Sequence, residues 1–476
     1  MIEGERTKII ATIGPKTTSE EKIRELISEG VDLFRLNFSY GDAEYHRRII
    51  RRIKKIRGEM DAPIPILQDL NGPKIRIGEL PEEGIMLHPE EEVVLNSDAE
   101  KAEPGEIPVS HERFADDVRP GHHLLLADGS IELQINRVEP PRVYCKVLVE
   151  GHLVSNKGIN YPSGSFTVPA VTEKDIADLK LGLKEGVDFV ACSYGRKPED
   201  ISPVREVCEK KGAKVPVIEK IEKHEALENL EGILEVVDGV IVARGDLGVE
   251  IPIEKIPALQ KRIIRVANLF GKPAIVATQM LSSMVENPRP TRAEVTDIAN
   301  AVLDGADSLL LSDETAVGEY PVKSIQTMAR LARETEESYP FKREFPEREI
   351  PTTIENPMAI ARSAVHLAEA FRAKLILCPT TTGFTARLIS RFRPEAPIFA
   401  LTPDPAVYFQ LNLLWGVVPG HMADTQDFER LLRISLETAR DSGLIEEGDN
   451  YIITAGFPFG LGLRTNTIRA GKFTGS

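Results

Sequence analysis

Cysteine is scarce: four in 476 residues, Cys145, Cys192, Cys208 and Cys378. They are scattered and form no CxxC pair, which excludes a disulfide framework and a thiolate zinc site. No apolar run is long enough to span a bilayer as a helix. Basic charge is in deficit, with 59 Lys+Arg against 74 Asp+Glu, a net charge of −15 and a pI near 5.3. That balance argues against nucleic acid or an anionic membrane as the main partner. An anionic substrate would need a local cationic pocket. The Walker A pattern is absent, so a bound nucleotide cannot rest in a P-loop. No signal peptide precedes the first strand-like segment at Thr7, and the expected location is cytoplasmic.

What is present centres on VVDGVIVARGDLGVEIP, Val236 to Pro252. The apolar run Gly239 to Ala243 reads as a strand buried on both faces. It leads into Arg244-Gly245-Asp246-Leu247-Gly248, read as a glycine-rich turn bearing a cation and a carboxylate. Glycine lets backbone amides approach a ligand, and the carboxylate can hold a hard metal ion. The same tract also fits an ordinary N-capped βα loop. The preceding unit favours the first reading. VPVIEK, Val215 to Lys220, is a second short apolar strand, ending in Glu219-Lys220-Ile221-Glu222-Lys223-His224. Glu222 and Asp246 are 24 residues apart (246 minus 222), one strand-helix-strand repeat, which puts them at neighbouring parallel strand ends. Two carboxylates able to share one Mg²⁺, with Lys220 beside them, point to phosphoryl or enolate chemistry. His224 reads as structural.

From Thr7 to about Asp69 the pattern alternates: TKIIATIG, a helix near Glu20 to Gly30, VDLFRLNF (Val31 to Phe38), a helix from Ala43 to about Arg57, and PILQDL (Pro65 to Leu70). Asn71-Gly72-Pro73 breaks it. Residues 74–169 show short β-branched runs between Pro, Gly and Asp turns and no clear helix, as in an inserted β-rich lid domain. Alternation then resumes, with helices expected at Thr172 to Glu185, Pro198 to Lys211, Ile256 to Phe270, Thr291 to Leu303 and Tyr320 to Ser338. Strands are expected at Asp188 to Ser193, Val215 to Lys220, Asp238 to Ala243, Lys272 to Gln279 and Ser308 to Ser312. Eight strands, each followed by a helix once the insert is removed, predict a TIM (β/α)8 barrel over 1–73 and 170–340. A linker rich in Pro and Glu, Pro340 to Pro357, leads into a C-terminal α/β domain, 341–476. That domain is expected to open with helix Met358 to Phe371, strand Lys374 to Cys378 and a helix from about Ala386.

TIM barrels carry their chemistry at the C-terminal strand ends. Here those ends bear Arg35, Asn37 and Ser39, Asp69, Ser193 and Arg196, Lys220 and Glu222, Arg244 and Asp246, Thr278 and Gln279, Ser312 and Glu314. Any one of them can be structural. Their concentration on one rim predicts an active site for a small phosphorylated acid held by a metal.

These tracts resemble the pyruvate kinase family along the whole chain. The resemblance is carried by TKIIATIGP, RLNFSYG at Arg35, DLNGPKIRIG at Asp69, IEKIEKHEAL at Ile218, VARGDLGVEIP at Val242, ATQMLSSM at Ala277, LSDETAVGEYP at Leu311 and GFPFGLGLRTNTIR at Gly456. It implies transfer of a phosphoryl group from phosphoenolpyruvate to ADP, giving pyruvate and ATP. By matching position, Glu222 and Asp246 are implied as ligands of Mg²⁺ or Mn²⁺. Lys220 and Arg35 are implied to face the transferring phosphoryl group, Lys220 also stabilising the enolate oxygen. The backbone at Gly245 and Asp246, with Thr278 and Ser193, is implied to hold substrate, and Thr278 to lie in the proton path to the enolate carbon. Arg76, Lys157 and Asn37 are implied nucleotide contacts, and Asp128 an acidic lid residue.

The resemblance also implies a pocket for K⁺ at Asn37, Ser39, Asp69 and the carbonyl of Leu70. Many members have Glu at the position of Lys74 and Thr at that of Leu70. The expectation is that the Lys74 ammonium replaces K⁺, so that K⁺ is not required. The loop Thr380, Thr381, Thr382, Gly383 and Thr385 matches one that binds a phosphorylated allosteric effector, with Phe384 at a position often polar or basic. A homotetramer is implied as well. Cys192-Ser193-Tyr194-Gly195 departs from the family's common Ala-Ser-Phe-Ile, Tyr40 stands where His is frequent, and Asp313 replaces Gly before Glu314. Two other readings compete. A lyase or aldolase on a related pyruvate-binding barrel would not need the lid, Arg76 or Lys157. A catalytically silent sensor would not need Lys220, Glu222, Asp246 and Thr278.

Overall fold

Eight short strands close into a barrel in chain order: β1 (Lys8–Thr12), β2 (Leu33–Asn37), β3 (Ile66–Asp69), β4 (Phe189–Cys192), β5 (Val217–Ile221), β6 (Gly239–Ala243), β7 (Ala274–Ala277) and β8 (Ser308–Leu311). Every neighbouring pair is parallel, and β1 closes on β8. The computed structural model describes residues 6–99, 105–162, 164–338, 355–456 and 465–475. Strand alternation sorts the apolar residues into two sets. Ile10, Leu33, Leu67, Ile218, Ile241 and Ile275 fill the barrel interior. Ile9, Phe34, Val240, Val242 and Val276 face outward to the helices. Leu413, from the C-terminal part of the chain, completes the interior cluster, and its carbonyl accepts a bond from Ser308 Oγ at 3.0 Å.

Between β3 and β4 the chain builds a six-stranded sheet and a two-stranded ribbon, with strands from Ile85–Leu87 to Ile159–Asn160, around a core of their own. A five-stranded sheet follows the barrel, centred on Leu375–Pro379 and mostly parallel. Among the described residues no helix is long and apolar enough to cross a membrane.

Several local expectations need correction. Among its described residues the insert contains one short helix, Phe114–Asp117. The tract from Pro198 splits into a 3₁₀ turn, Pro198–Ile201, and a helix, Ser202–Lys210, because Pro203 cannot donate within a continuous helix. Short helices that the pattern did not reveal cap the rim after β6 and β8, at Arg244–Glu250 and Asp313–Ala316. The helix expected from Ala386 begins earlier, at Phe384, directly after Gly383 with φ of +74°. Most of the linker 340–357 and the glycine motif 460–462 lie outside the described residues.

A buried ion pair joins the barrel to the C-terminal sheet. Arg393 donates through Nη1 to Asp307 Oδ1 at 2.8 Å and through Nη2 to the Gly305 carbonyl at 2.6 Å, with side chains 1% and 5% exposed. Arg393→Ala would strand a buried carboxylate. It is expected to lower stability by about 3–5 kcal/mol, read as an earlier urea midpoint. A midpoint unchanged from the parent would show that the pair contributes nothing.

Candidate active site

The rim is built from the ends of β2 to β8, and its centre is charged and largely buried. Asp69 ends β3 and is 1% exposed. Its Oδ2 accepts from Arg35 Nε at 2.7 Å, and its Oδ1 lies 3.5 Å from Lys220 Nζ. Arg35 also donates to Thr12 Oγ1 at 2.9 Å. The sequence places Lys220 last in its strand; β5 starts two residues later than expected and runs one residue past Lys220, to Ile221. The Lys220 ammonium is 2.8 Å from Glu222 Oε1 and donates to Ser193 Oγ at 3.0 Å. Ser193 in turn donates to the Leu70 carbonyl at 2.8 Å.

Opposing charges decide the ionisation here. Burial works against the Lys220 charge, yet Asp69 and Glu222 outweigh it and hold the ammonium above its usual range. Burial likewise opposes ionisation of Asp69, and Lys220 and Arg35 prevail, keeping its carboxyl below the ordinary value. Glu222 goes the other way. Burial, and then the charge of Asp246, overcome the help from Lys220 and push it up to about 7.

Glu222 and Asp246 come from adjoining units, with Ile221 of β5 paired to Val242 of β6. Tyr194 spans them: its N–H donates to Glu222 Oε2 at 2.9 Å and its hydroxyl to Asp246 Oδ1 at 3.5 Å. Glu222 Oε1 is buried and has no hydrogen bond, despite the nearby ammonium. An orphaned carboxylate oxygen beside a second carboxylate fits a hard divalent ion.

The Arg244 tract is a helix, not a loop, so Gly245 and Asp246 lie in its first turn. Gly245 N–H donates to Thr278 Oγ1 at 2.7 Å, and that hydroxyl donates to the Ala277 carbonyl at 2.6 Å. Thr278 and Gln279 both hold positive φ, +67° and +54°, a strained turn aimed at the cavity. The cavity encloses about 650 Å³ and is lined by Lys74, Asp128, Gly245, Asp246, Thr278 and Glu314, among others.

Two of the expected rim cations are structural. Arg244 is buried, donating to Asp297 Oδ2 at 2.6 Å and to the Thr278 carbonyl at 2.7 Å, and so it fixes the strained turn. Arg196 donates to the carbonyls of Phe166 and Val168 at 2.9 and 3.0 Å, where the chain returns from the insert. Glu314 accepts from the backbone of Leu281 and Ser312. Sequence reasoning missed Glu219. It is fully buried and accepts from Gly195 N–H at 2.9 Å; burial and the charge of Glu222 raise its carboxyl well above the usual range. A Cβ at Gly195 would lie 2.4 Å from Glu219 Oε1, so the departure at Gly195 was the signal that could have revealed it.

Asn37 and Asp69 are register partners across β2 and β3, and Asn37 Oδ1 accepts from Ser39 N–H at 3.0 Å. Leu70 follows Asp69 in the chain, and its carbonyl accepts from Ser193 Oγ at 2.8 Å. Lys74 points elsewhere: its ammonium lies 3.5 Å from both Asp128 Oδ1 and Asp246 Oδ1, linking the inserted sheet to the rim. Arg76 donates to the Asn156 carbonyl at 2.9 Å, and Lys157 is exposed. In the distant threonine loop, Thr380 Oγ1 accepts from Gly383 N–H at 3.0 Å and Thr385 pairs with Thr465 at 2.7 Å. Thr381 and Thr382 reach solvent.

Comparison with known proteins gives one answer. Residues 4–325 match the family model described as pyruvate kinase, barrel domain, and residues 358–470 match pyruvate kinase, alpha/beta domain. The chain is 44% identical over 470 residues to pyruvate kinase 2 of Synechocystis sp., covering 98% of this chain and 78% of that protein. It is 42% identical over 468 residues to pyruvate kinase of Staphylococcus aureus, covering 98% and 80%. The crystal structure of a pyruvate kinase from Cryptosporidium parvum superposes with a TM-score of 0.91 at 34% identity, covering 98% of this chain and 96% of that one. Similarity that runs through the barrel, its rim and the C-terminal sheet together leaves one assignment: the chain belongs to the pyruvate kinase family.

Proposed function

We propose that the family's reaction, transfer of the phosphenolpyruvate phosphoryl group to ADP, is carried in this chain by Lys220, Arg35 and Thr278 on the barrel rim. The observation that carries the reading is the Lys220 ammonium, buried but kept charged between Asp69 and Glu222. A fixed cation in a water-poor site acts on charge as it shifts from phosphoryl to enolate oxygen without having to reorganise. Arg35, braced by Asp69 and Thr12, presents its remaining donors to the same group. The substrate carboxylate is read as held at the backbone of Gly245 and Asp246, in the first turn of the Arg244–Glu250 helix, the Gly245 amide turning to it from Thr278 Oγ1, which then passes a proton to the enolate carbon. Ser193 steadies Lys220. Mg²⁺, or Mn²⁺, held by Glu222 and Asp246, would supply Lewis-acid charge neutralisation. Arg76, Lys157 and Asn37 are read as nucleotide contacts, and Asp128 as the lid residue that meets the rim. Pyruvate formation from phosphoenolpyruvate, assayed with and without ADP, tests the reading. ADP-independent release would favour the lyase alternative.

We read the barrel as 1–73 and 170–340, the lid as 74–169 and the C-terminal domain as 341–476. Pyruvate kinases generally use Mg²⁺ and K⁺. For this chain we propose that Lys74 removes the need for K⁺. A phosphorylated effector would be held at Thr381 and Thr382: Thr380, Thr385 and the Gly383 amide have partners within the fold, whereas the Thr382 hydroxyl, which accepts from Phe384 N–H at 3.4 Å, keeps its own proton to donate. Homotetramer assembly and a cytoplasmic location rest on the family resemblance.

The metal assignment orders two variants. Asp246→Ala is expected to weaken Mn²⁺ binding by about 100-fold or more. Tyr194→Phe, which removes one long bond to Asp246, should cost about 10-fold. Mn²⁺ titration followed by electron paramagnetic resonance measures both. Equal affinities in all three proteins would remove Asp246 from the site.

A further inference from the structure

A second group of metal-type ligands lies beside the rim and takes no part in the reaction described. His224 opens the helix that follows β5, and Glu250 ends the one that follows β6. His224 Nδ1 is 3.3 Å from Glu225 Oε2 and 3.5 Å from Glu250 Oε2, and the three atoms lie within 4.8 Å of one another. All three atoms are buried, and the imidazole faces both carboxylates without a well-directed hydrogen bond to either. The Glu250 side chain is 0% exposed. Its Oε1 is satisfied by Lys223 Nζ at 2.6 Å and Asn160 Nδ2 at 3.0 Å, which leaves Oε2 aimed at the imidazole.

A single ring proton on Nδ1 can serve one of the two carboxylate oxygens fully. The other then stays unpaired and buried, which is unfavourable. A divalent ion would accept a lone pair from each of the three atoms. Ligands about 2.0–2.2 Å from such an ion stand about 3.0–3.5 Å apart at octahedral or tetrahedral angles, and the two distances from His224 fall in that range.

We propose that His224, Glu225 and Glu250 form a second divalent-metal site, separate from Glu222 and Asp246. One imidazole and two carboxylates suit Zn²⁺, Co²⁺ or Ni²⁺ better than Mg²⁺, which favours oxygen alone. His224 and Glu225 are 30% and 20% exposed, which leaves a path for the ion and room for water to complete its shell. Asn160 belongs to the last strand of the inserted sheet and grips the other oxygen of Glu250. An ion that fixes Glu250 therefore stiffens the joint between that sheet and the barrel.

The test uses the full chain freed of metal with a chelator and then held in excess MgCl₂. Co²⁺ is titrated by calorimetry and visible absorption. One Co²⁺ is expected to bind, in the parent and equally in Asp246→Ala, where the catalytic pair is broken. His224→Ala should weaken it about 100-fold or more, as should Glu225→Gln, which retains the shape of the side chain. Zn²⁺ should raise the melting temperature of the parent and not of His224→Ala. Absence of Co²⁺ binding in Asp246→Ala, or binding indifferent to both His224→Ala and Glu225→Gln, would overturn the proposal.

Discussion

Replacing Lys220 with alanine is expected to reduce turnover by about 10²–10³-fold, the usual effect of removing one preorganised electrostatic stabiliser. The drop should fall on kcat more than on KM, because the ammonium is needed most where charge moves during transfer. A second effect follows from burial. Lys220 neutralises Asp69 at 3.5 Å and Glu222 at 2.8 Å, both almost inaccessible. Its loss leaves Glu222 buried without its cation, while Asp69 keeps Arg35 at 2.7 Å, and breaking such a pair costs about 3–5 kcal/mol. Part of that is recovered when Glu222, already pushed up to about 7, takes a proton. The variant is therefore expected to melt earlier while remaining folded at 25 °C. Turnover should be counted per folded molecule, with circular dichroism as the measure of folding. A kcat within threefold of the parent would remove Lys220 from the chemistry.

The barrel was legible because its strands are short runs buried on both faces, such as Gly239 to Ala243, set between turns at regular spacing. The added rim helices were not. Arg244–Glu250 spans seven residues, with two glycines, too few for a helical period to stand out. Tertiary contacts hold it, notably the bond from Arg244 to Asp297. The same contact explains why charge alone misjudged the rim. Arg35, Arg196, Lys220 and Arg244 look equivalent as cations at strand ends, but Arg196 and Arg244 have partners within the fold. The threonine loop carries the same lesson: nothing in Thr-Thr-Thr-Gly-Phe-Thr says which hydroxyl accepts from the loop's own backbone, as Thr380 does from Gly383 and Thr382 from Phe384. Glu219 was hidden by its neighbours, since nothing in Glu-Lys-Ile-Glu says which carboxylate turns inward to the Gly195 amide.

On the proposal that the Lys74 ammonium stands in for K⁺, Lys74→Glu is expected to create a dependence on K⁺. The parent ammonium lies 3.5 Å from Asp246 Oδ1 and 3.5 Å from Asp128 Oδ1, between the rim and the lid. It is 21% exposed, so solvent screens it only in part. Two unit charges 4 Å apart interact by about 4 kcal/mol at an effective dielectric of 20. Exchanging the cation for a carboxylate removes that attraction and adds a repulsion of similar size, in a site that must also receive two phosphorylated substrates. Without K⁺ the variant is expected to lose about 10²-fold in rate, less than the full electrostatic change because Asp128 is exposed and can swing away. The proposed place for a monovalent cation to restore the missing charge is Asn37, Ser39, Asp69 and the Leu70 carbonyl, at the ends of β2 and β3, where Asn37 and Asp69 are register partners. The measurement is initial rate in tetramethylammonium buffer, with and without KCl at constant ionic strength. The parent should change by less than about twofold, since its charge is tethered, and the variant should recover most of its loss. Strong KCl activation of the parent would show that Lys74 does not stand in for the ion. A variant as fast as the parent without K⁺ would show that the charge at position 74 is not felt by the substrates.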